Sequence, residues 1–164
     1  MRRNLAYASG IALALICAAC VPVIGKAPPA MASQPSTLQK VPLSIVTARG
    51  THKFSVEVAR NEAEQAQGLM FRTTVPKGTG MLFPMSPPRE ASFWMKNTLI
   101  PLDMIFIRPD GTIARIAART TPESLDLVDS GEPVVAVLEL DGGAAAAQGI
   151  APGDRVSWPG GPTG

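Results

Sequence analysis

The chain has few of the residues on which most metal centres and covalent catalysts depend. Its 164 residues include 2 cysteines and 1 histidine. Both cysteines, Cys17 and Cys20, lie near the N-terminus, so the sequence after residue 32 has no internal disulfide, thiol nucleophile or cysteine-based metal site. A single histidine excludes a multi-histidine zinc site within one chain, and a Ser-His-Asp triad would have to use His52.

The chain also lacks an excess of basic residues once the N-terminal segment is set aside. The whole chain has 15 Lys+Arg and 13 Asp+Glu, and without Arg2, Arg3 and Lys26 the basic residues number 12. The remainder is therefore nearly neutral and has no basic run, so we expect no nucleic-acid partner. The sequence has no phosphate loop, nucleophile elbow or cofactor fingerprint, and we expect no cofactor.

The first 32 residues have the layout of a secretory signal peptide. Arg2 and Arg3 give a positive start, residues 5–17 are almost wholly apolar, and Ala18 and Ala19 supply small side chains. The apolar run is a little shorter than the roughly 20 residues of a membrane-spanning helix. An uncleaved membrane anchor is the alternative to a cleaved signal, and both place the protein in the periplasm or cell envelope.

Two processing sites compete within this leader. Residues 17–20 resemble a lipoprotein box with Cys20 as the lipidated residue, although a branched aliphatic residue is usual where Cys17 stands. Residues 30–32 fit an A-x-A cleavage site before Ser33. In either case we expect membrane contact only through the leader or a lipid anchor.

The rest of the chain predicts one β-rich domain over residues 41–158. A flexible linker over residues 33–40 precedes it, and a loose tail over residues 159–164 follows. We expect an α+β fold with a compact, barrel-like antiparallel or mixed sheet of about seven short strands and one or two small helices. Strand candidates lie at residues 43–48, 54–59, 81–83, 91–95, 102–107, 112–119, 134–140 and 155–158, and helical ones after Asn61 and at 142–148.

Two connections carry specific predictions. Residues 49–52 predict a tight turn, which would leave His52 solvated. Residues 84–90 hold Pro84, Pro87 and Pro88 and predict irregular structure. Loops of the second kind carry recognition surfaces more often than packed elements do.

The stretch of residues 92–103 concentrates the chemistry of the chain. It holds Trp94, Lys96 and Asn97, and Asp103 begins a strand that is otherwise apolar. A carboxylate in such a setting needs a partner. One interpretation is structural, with Asp103 accepting backbone N–H bonds and Trp94 in the core. The other is a small-ligand pocket lined by these four side chains, with Arg72 across it.

The functional alternatives follow from the same residues. The leading hypothesis is a non-catalytic module that binds a small molecule or an envelope protein, of unknown identity. A second is a small hydrolase-like enzyme that uses Asp103 with Lys96, with Glu139 as a further acid–base candidate. A minor one is copper binding by thioethers, which soft Cu(I) favours. The methionines concerned are Met70, Met81, Met85, Met95 and Met104.

Five motifs resemble the bacterial and archaeal family called domain of unknown function 192. They are Gly68-Leu69-Met70-Phe71-Arg72, Gly80-Met81-Leu82-Phe83, Phe93-Trp94-Met95-Lys96-Asn97-Thr98 with Ile100-Pro101-Leu102-Asp103, Val137-Leu138-Glu139, and Gly149-Ile150 with Gly153-Asp154. Pro84 and Gly142 are mild departures from its pattern. The resemblance implies a single compact, β-rich domain that is often exported, and it implies no established activity.

Overall fold

A computed structural model of the protein describes residues 37–162. The elements in chain order are β1 (Lys40–Thr47), β2 (Gly50–Val58), α1 (Glu62–Gln67), β3 (Thr79–Arg89), β4 (Ser92–Phe93), β5 (Leu102–Ile107), β6 (Ile113–Ala117), β7 (Val128–Asp129), β8 (Val134–Asp141), α2 (Ala144–Gln148) and β9 (Arg155–Ser157). The predicted leader, both cleavage sites, Cys20, residues 33–36 of the linker and residues 163–164 of the tail lie outside the described residues. Among residues 37–162, no helix has the length and apolar character needed to cross a membrane.

Seven of the strands form one curled sheet. Their order is β6-β5-β8-β3-β2-β1-β9, and β4 pairs with β7 in a separate two-stranded sheet. The pair β2–β3 is parallel and its neighbours are antiparallel. The two edges of the large sheet meet where Thr112 bridges to Arg155, and Ile113 N–H donates to the Asp154 carbonyl at 2.8 Å. The prediction of a β-rich α+β fold with a barrel-like mixed sheet and two small helices is confirmed.

The curled sheet is buried on both faces. One apolar cluster takes side chains from all seven strands, for example Ile45, Leu82 and Val156. The second lies on the other face of β3, β5 and β8, where Met81, Met104 and Val137 pack with residues from the connecting segments. Because side chains alternate along a strand, these central strands present apolar residues in both directions.

The connection from β2 to β3 supplies part of the cover over the second cluster. Parallel strands need a long crossover, and this one contains α1. The helix predicted after Asn61 is confirmed, and it begins with a capping box in which Asn61 Oδ1 accepts the Glu64 N–H at 2.9 Å. The helix buries none of its own side chains, however, and Ala63 and Ala66 are exposed. The chain turns at Gly68, and Leu69 beyond the helix enters the core instead.

Two sequence-based predictions about connections are wrong. The turn between β1 and β2 is shorter than predicted, because Thr47 pairs with Gly50 and Thr47 Oγ1 accepts the Arg49 N–H at 3.0 Å. His52 therefore lies in β2 opposite Ile45, not in a turn. The proline-rich stretch was predicted to lie outside regular structure, but β3 continues through it to Arg89. Its register against β8 shifts between Pro84 and Arg89, and this irregularity accommodates residues that lack an N–H.

Candidate ligand-binding site

A cavity of about 240 Å³ lies over the second apolar cluster. Its wall combines the α1 region, the end of β3, the start of the stretch singled out in the sequence, and one residue of β8. The lining residues are 65–70, Phe83, Met85, Arg89, 91–94, Thr98 and Glu139. Nine of these fifteen residues are apolar or glycine, and polar groups such as Gln65, Arg89 and Glu139 converge among them, as in small-molecule sites.

The α1 side of the cavity is fastened to the sheet by one glutamine. Gln65 Nε2 donates to the Pro84 carbonyl at 3.0 Å and to the Ala59 carbonyl at 3.3 Å. These bonds join the helix to the end of β2 and to the middle of β3. The position of this wall therefore follows from the sheet and not from burial of the helix itself.

The opposite side is held by backbone contacts between three loops. Phe71 N–H donates to the Asn97 carbonyl at 2.8 Å, and Glu123 N–H donates to the Thr98 carbonyl at 3.1 Å. Phe71, Asn97 and Glu123 have φ values of 63°, 56° and 59°, which non-glycine residues adopt at a cost of roughly 1 kcal/mol or more each. Three such residues beside one cavity indicate that the loops are constrained by their surroundings, as is common at functional sites.

Glu139 is the buried charged residue of the cavity. It lies on β8 between Met81 of β3 and Met104 of β5, and it is 4% exposed. No hydrogen bond or ion pair joins its side chain to any other residue between 37 and 162. In that range, every side-chain N or O atom that is fully shielded from solvent has a hydrogen-bond partner. The Glu139 oxygens have none, so they are not fully shielded and are accessible from the cavity. Burial raises the pKa of Glu139 to about 8, because a charged carboxylate loses its hydration there.

Sequence reasoning named Glu139 only as an acid–base candidate and not as part of the site. A signal was present, however. Glu139 is the single charged residue in the predicted strand over residues 134–140, and a charge within an apolar strand requires an explanation.

Of the predicted site residues, Trp94, Lys96 and Asn97 lie at or beside the cavity. Trp94 lines it and is 46% exposed, which contradicts the alternative prediction that this side chain belongs to the core. Lys96 Nζ lies 5.0 Å from the centre of the Trp94 ring, as in a cation–π contact. Asn97 Nδ2 donates to the sulfur of Met70, a lining residue, at 3.7 Å.

Arg72 and Asp103 do not line this cavity. Arg72 pairs with Glu57 through two contacts, Nη1 to Oε1 at 3.0 Å and Nη2 to Oε2 at 2.6 Å. Both side chains are largely buried, with 24% and 10% of their surfaces exposed. The structure thus gives Arg72 a carboxylate partner within the protein.

Asp103 lies on the other face of the sheet from Glu139. Its Oδ1 accepts N–H bonds from Arg119 at 2.8 Å and Gly143 at 2.9 Å, and its Oδ2 accepts one from Ala145 at 2.8 Å. The residue is completely buried. These contacts match the structural interpretation of Asp103, in which backbone donors satisfy the carboxylate.

A second cavity of about 420 Å³ lies beside α2. Its charged residues are Lys77, Arg119 and Asp141, and all three are exposed. It is larger than the first cavity but has no buried, unpaired polar group. We therefore take the cavity at Glu139, here called the Glu139 cavity, as the candidate site.

Metal chemistry has little support in the described part of the chain. Residues 37–162 contain no group of three or more His, Cys, Asp or Glu side chains placed to hold a metal ion. Of the five methionines considered for copper, Met70 and Met85 line the Glu139 cavity, and the other three are buried in the core. Copper binding stays a prediction.

The comparisons with known proteins agree with this fold. The geometry defines the class of the protein as a curled, β-rich domain in which connecting segments cover the outer face of the sheet. The model of the DUF192 family, described as Uncharacterized ACR, matches residues 44–158. The chain therefore belongs to the DUF192 family, as the sequence motifs predicted. No curated protein matches the chain significantly.

Two solved structures are similar over most of the chain. One is a protein of unknown function from Novosphingobium aromaticivorans, with 47% identity and a TM-score of 0.74, covering 76% of this chain and 89% of that one. The other, from Sinorhizobium meliloti, is provisionally described as a transcription regulator. It has 42% identity and a TM-score of 0.74, covering 77% of this chain and 98% of its own.

Proposed function

We propose that the protein is an exported, non-catalytic module of the cell envelope that binds a small molecule in the Glu139 cavity. The observation that supports this most directly is the Glu139 carboxyl group, which is buried, has no partner within residues 37–162 and lines a cavity of about 240 Å³. A buried polar group of this kind is costly to keep unless something binds to it. The strained loops beside the cavity are a second, independent indication.

The same contacts weigh against the hydrolase alternative. Asp103 has three backbone donors on its two oxygens and no exposed surface, so it is poorly placed to act on a substrate. Lys96 lies over Trp94 instead of beside Asp103. Glu139 is the better acid–base candidate, but the two hydroxyl groups of the cavity lining bond elsewhere, Ser92 to the Asp129 carboxylate and Thr98 to the Lys96 carbonyl.

A nucleic-acid partner, which the description of the Sinorhizobium relative suggests, has less support than a small molecule. After residue 32 the basic and acidic residues nearly balance, and no basic run is present. An envelope protein remains the alternative partner. Exposed apolar residues beside the cavity, such as Phe71, Trp94 and Leu99, would be its contact surface.

The test of small-molecule binding compares two helix variants. Ala66 and Ala63 are both exposed residues of α1, but only Ala66 lines the cavity. A library of small soluble molecules is screened by ligand-observed NMR against the wild-type protein, Ala66→Trp and Ala63→Trp. We expect compounds that bind the wild type and Ala63→Trp but not Ala66→Trp. If no compound distinguishes Ala66→Trp from its control, the small-molecule function is wrong.

Export and lipidation are tested in cells. Residues 1–32 support both, and Cys20 is the proposed lipid acceptor. Fractionation should place the wild-type protein in the envelope membranes and Cys20→Ala in the soluble periplasmic fraction. An unprocessed protein in the cytoplasm would contradict export, and a soluble, unmodified wild-type protein would contradict lipidation alone.

A further inference from the structure

We infer that the Glu139 cavity binds a compact amine that also carries an anionic group, with its ammonium at Glu139 and its anionic group at Arg89. This inference rests on the proposed small-molecule function and adds the chemical class of the ligand. It depends on the placement of two charged side chains that have no partner within residues 37–162.

A ligand would supply the counter-charge that Glu139 lacks within the sheet. The residue is flanked on neighbouring strands by Met81 and Met104, both completely buried, so the strands beside it offer no counter-charge. A buried carboxylate is stabilised by a hydrogen-bonded cation. A ligand ammonium provides both the charge and three N–H donors.

Few charged groups face Glu139. Among the described residues that line the cavity, the only other charged one is Arg89, at the end of β3. The α1 region contributes the uncharged Gln65 and Gln67, and the segment after β3 contributes Ser92 and Thr98. An amine ligand would therefore meet one negative group in the cavity, and that group is Glu139.

Arg89 is also available to a ligand. It is exposed, and within residues 37–162 it has no hydrogen bond or ion pair with another side chain. Guanidinium groups bind carboxylates and phosphates through paired N–H donors. A buried carboxyl and an exposed guanidinium on one cavity wall match a ligand that has opposite charges at its two ends.

The size and walls of the cavity limit the ligand further. About 240 Å³ is small beside the roughly 300–1,000 Å³ of sites for drug-sized ligands. Phe83 and Phe93 pack edge to face with ring centres 5.2 Å apart, and both rings line the cavity. Their apolar surfaces suit a short aliphatic chain between the two charges, and aromatic faces also attract an ammonium group.

Four probes of equal chain length test the inference. They are 4-aminobutyrate, butylamine, butyrate and the neutral butyramide, titrated into the wild-type protein by calorimetry at pH 7. We expect 4-aminobutyrate to bind most tightly and butyrate most weakly. Glu139→Gln should weaken 4-aminobutyrate at least ten-fold, and Arg89→Gln should abolish its advantage over butylamine. The controls are Glu62→Gln and Arg60→Gln, exposed residues that do not line the cavity.

Proton release provides a readout that a merely structural role would not change. Since the pKa of Glu139 is about 8, this carboxyl group is protonated in most molecules at pH 7. Pairing with a ligand ammonium displaces that proton. Calorimetry in two buffers of different ionisation enthalpy should show release of nearly one proton with 4-aminobutyrate, and none with Glu139→Gln.

The failures of the two proposals can be told apart. If butyramide binds as tightly as the amines, or if the amines bind Glu139→Gln as tightly as the wild type, the amine inference is wrong and the small-molecule function stands. If none of the four probes binds at millimolar concentration, the amine inference is also wrong. The library screen with Ala66→Trp then decides the small-molecule function separately.

Discussion

Asp103 and Glu139 are carboxyl groups on neighbouring strands of one sheet, and both are buried. Asp103 is opposite Leu140 and Glu139 is opposite Met104, so the two side chains point to different faces. On one face, three backbone N–H groups satisfy Asp103. On the other face, Glu139 meets methionines and a cavity.

Burial alone therefore does not show what role a carboxyl group has. A carboxylate that accepts bonds from several segments holds those segments in place. Asp103 does so for Arg119, in the loop after β6, and for Gly143, in the turn before α2. A carboxyl without donors contributes no such connection and costs stability when it is charged. Asp103 is therefore a structural residue, and Glu139 is the group available to a ligand.

The largest effect that we expect to separate these two residues is a dependence of stability on pH. The pKa of Glu139 is about 8 in the folded protein and its usual value is 4.5, so the folded state holds a proton that the unfolded state loses between these values. The free energy of unfolding should fall as pH rises through this window, by on the order of 5 kcal/mol in total. Glu139→Gln should remove that loss. Chemical denaturation at several pH values measures it.

A matched control separates Glu139 from ordinary carboxylates. Glu62→Gln changes an exposed residue of α1 and should leave the pH profile of the wild type intact. If wild type and Glu139→Gln have parallel profiles between about pH 5 and 8, Glu139 is ionised throughout and the comparison with Asp103 fails.

The next effect concerns Asp103. Asp103→Asn keeps the shape of the side chain but replaces one acceptor oxygen by an NH₂ group that faces an N–H donor. We expect a loss of about 3 kcal/mol in the free energy of unfolding, from lost charge-assisted bonds and an unsatisfied buried donor. Asp141→Asn, at an exposed residue at the end of β8, should change it by less than about 0.5 kcal/mol. A loss below about 1 kcal/mol for Asp103→Asn would contradict the structural role.

A smaller effect is expected at Glu57, a third buried carboxylate. Its partner is Arg72, through two contacts of 3.0 and 2.6 Å. Glu57→Gln should cost about 2 kcal/mol of unfolding free energy, since a partly buried charge pair is broken. Glu132→Gln breaks the exposed pair with Arg108 and should cost less than about 1 kcal/mol. Equal losses in the two variants would mean that burial does not distinguish these pairs.

The smallest effect is expected at the cap of α1. Asn61→Ala removes the acceptor of the Glu64 N–H and should cost about 1 kcal/mol of unfolding free energy. Asn61→Ser, which retains a capping oxygen, should recover most of the loss. An unchanged thermal unfolding profile in Asn61→Ala would show that the α1 side of the cavity does not depend on its cap.

The sequence predicted the sheet well because its signals are local. The apolar strand over residues 102–107 has the predicted bounds, and the helix predicted after Asn61 begins at Glu62. The extended course of β3 through Pro84 was missed, because a proline signal gives no information on a register shift against a partner strand.

The candidate site was predicted less completely, because it depends on the faces of distant strands. Trp94 and Asn97 were found from their concentration in one stretch of sequence, and both lie at the cavity or beside it. Whether Asp103 or Glu139 meets backbone donors is decided by Arg119 and by residues 143–145, far away in the sequence. No local pattern encodes that choice.

The meeting of β6 and β9 has a consequence for contacts between molecules. Backbone bonds across this junction, such as Val156 N–H to the Gly111 carbonyl at 2.8 Å, occupy groups that a sheet edge would otherwise offer to a neighbouring chain. Edge-to-edge pairing of copies is a common route to aggregation. Joining the first and last strands of the sheet order thus protects each molecule from its neighbours.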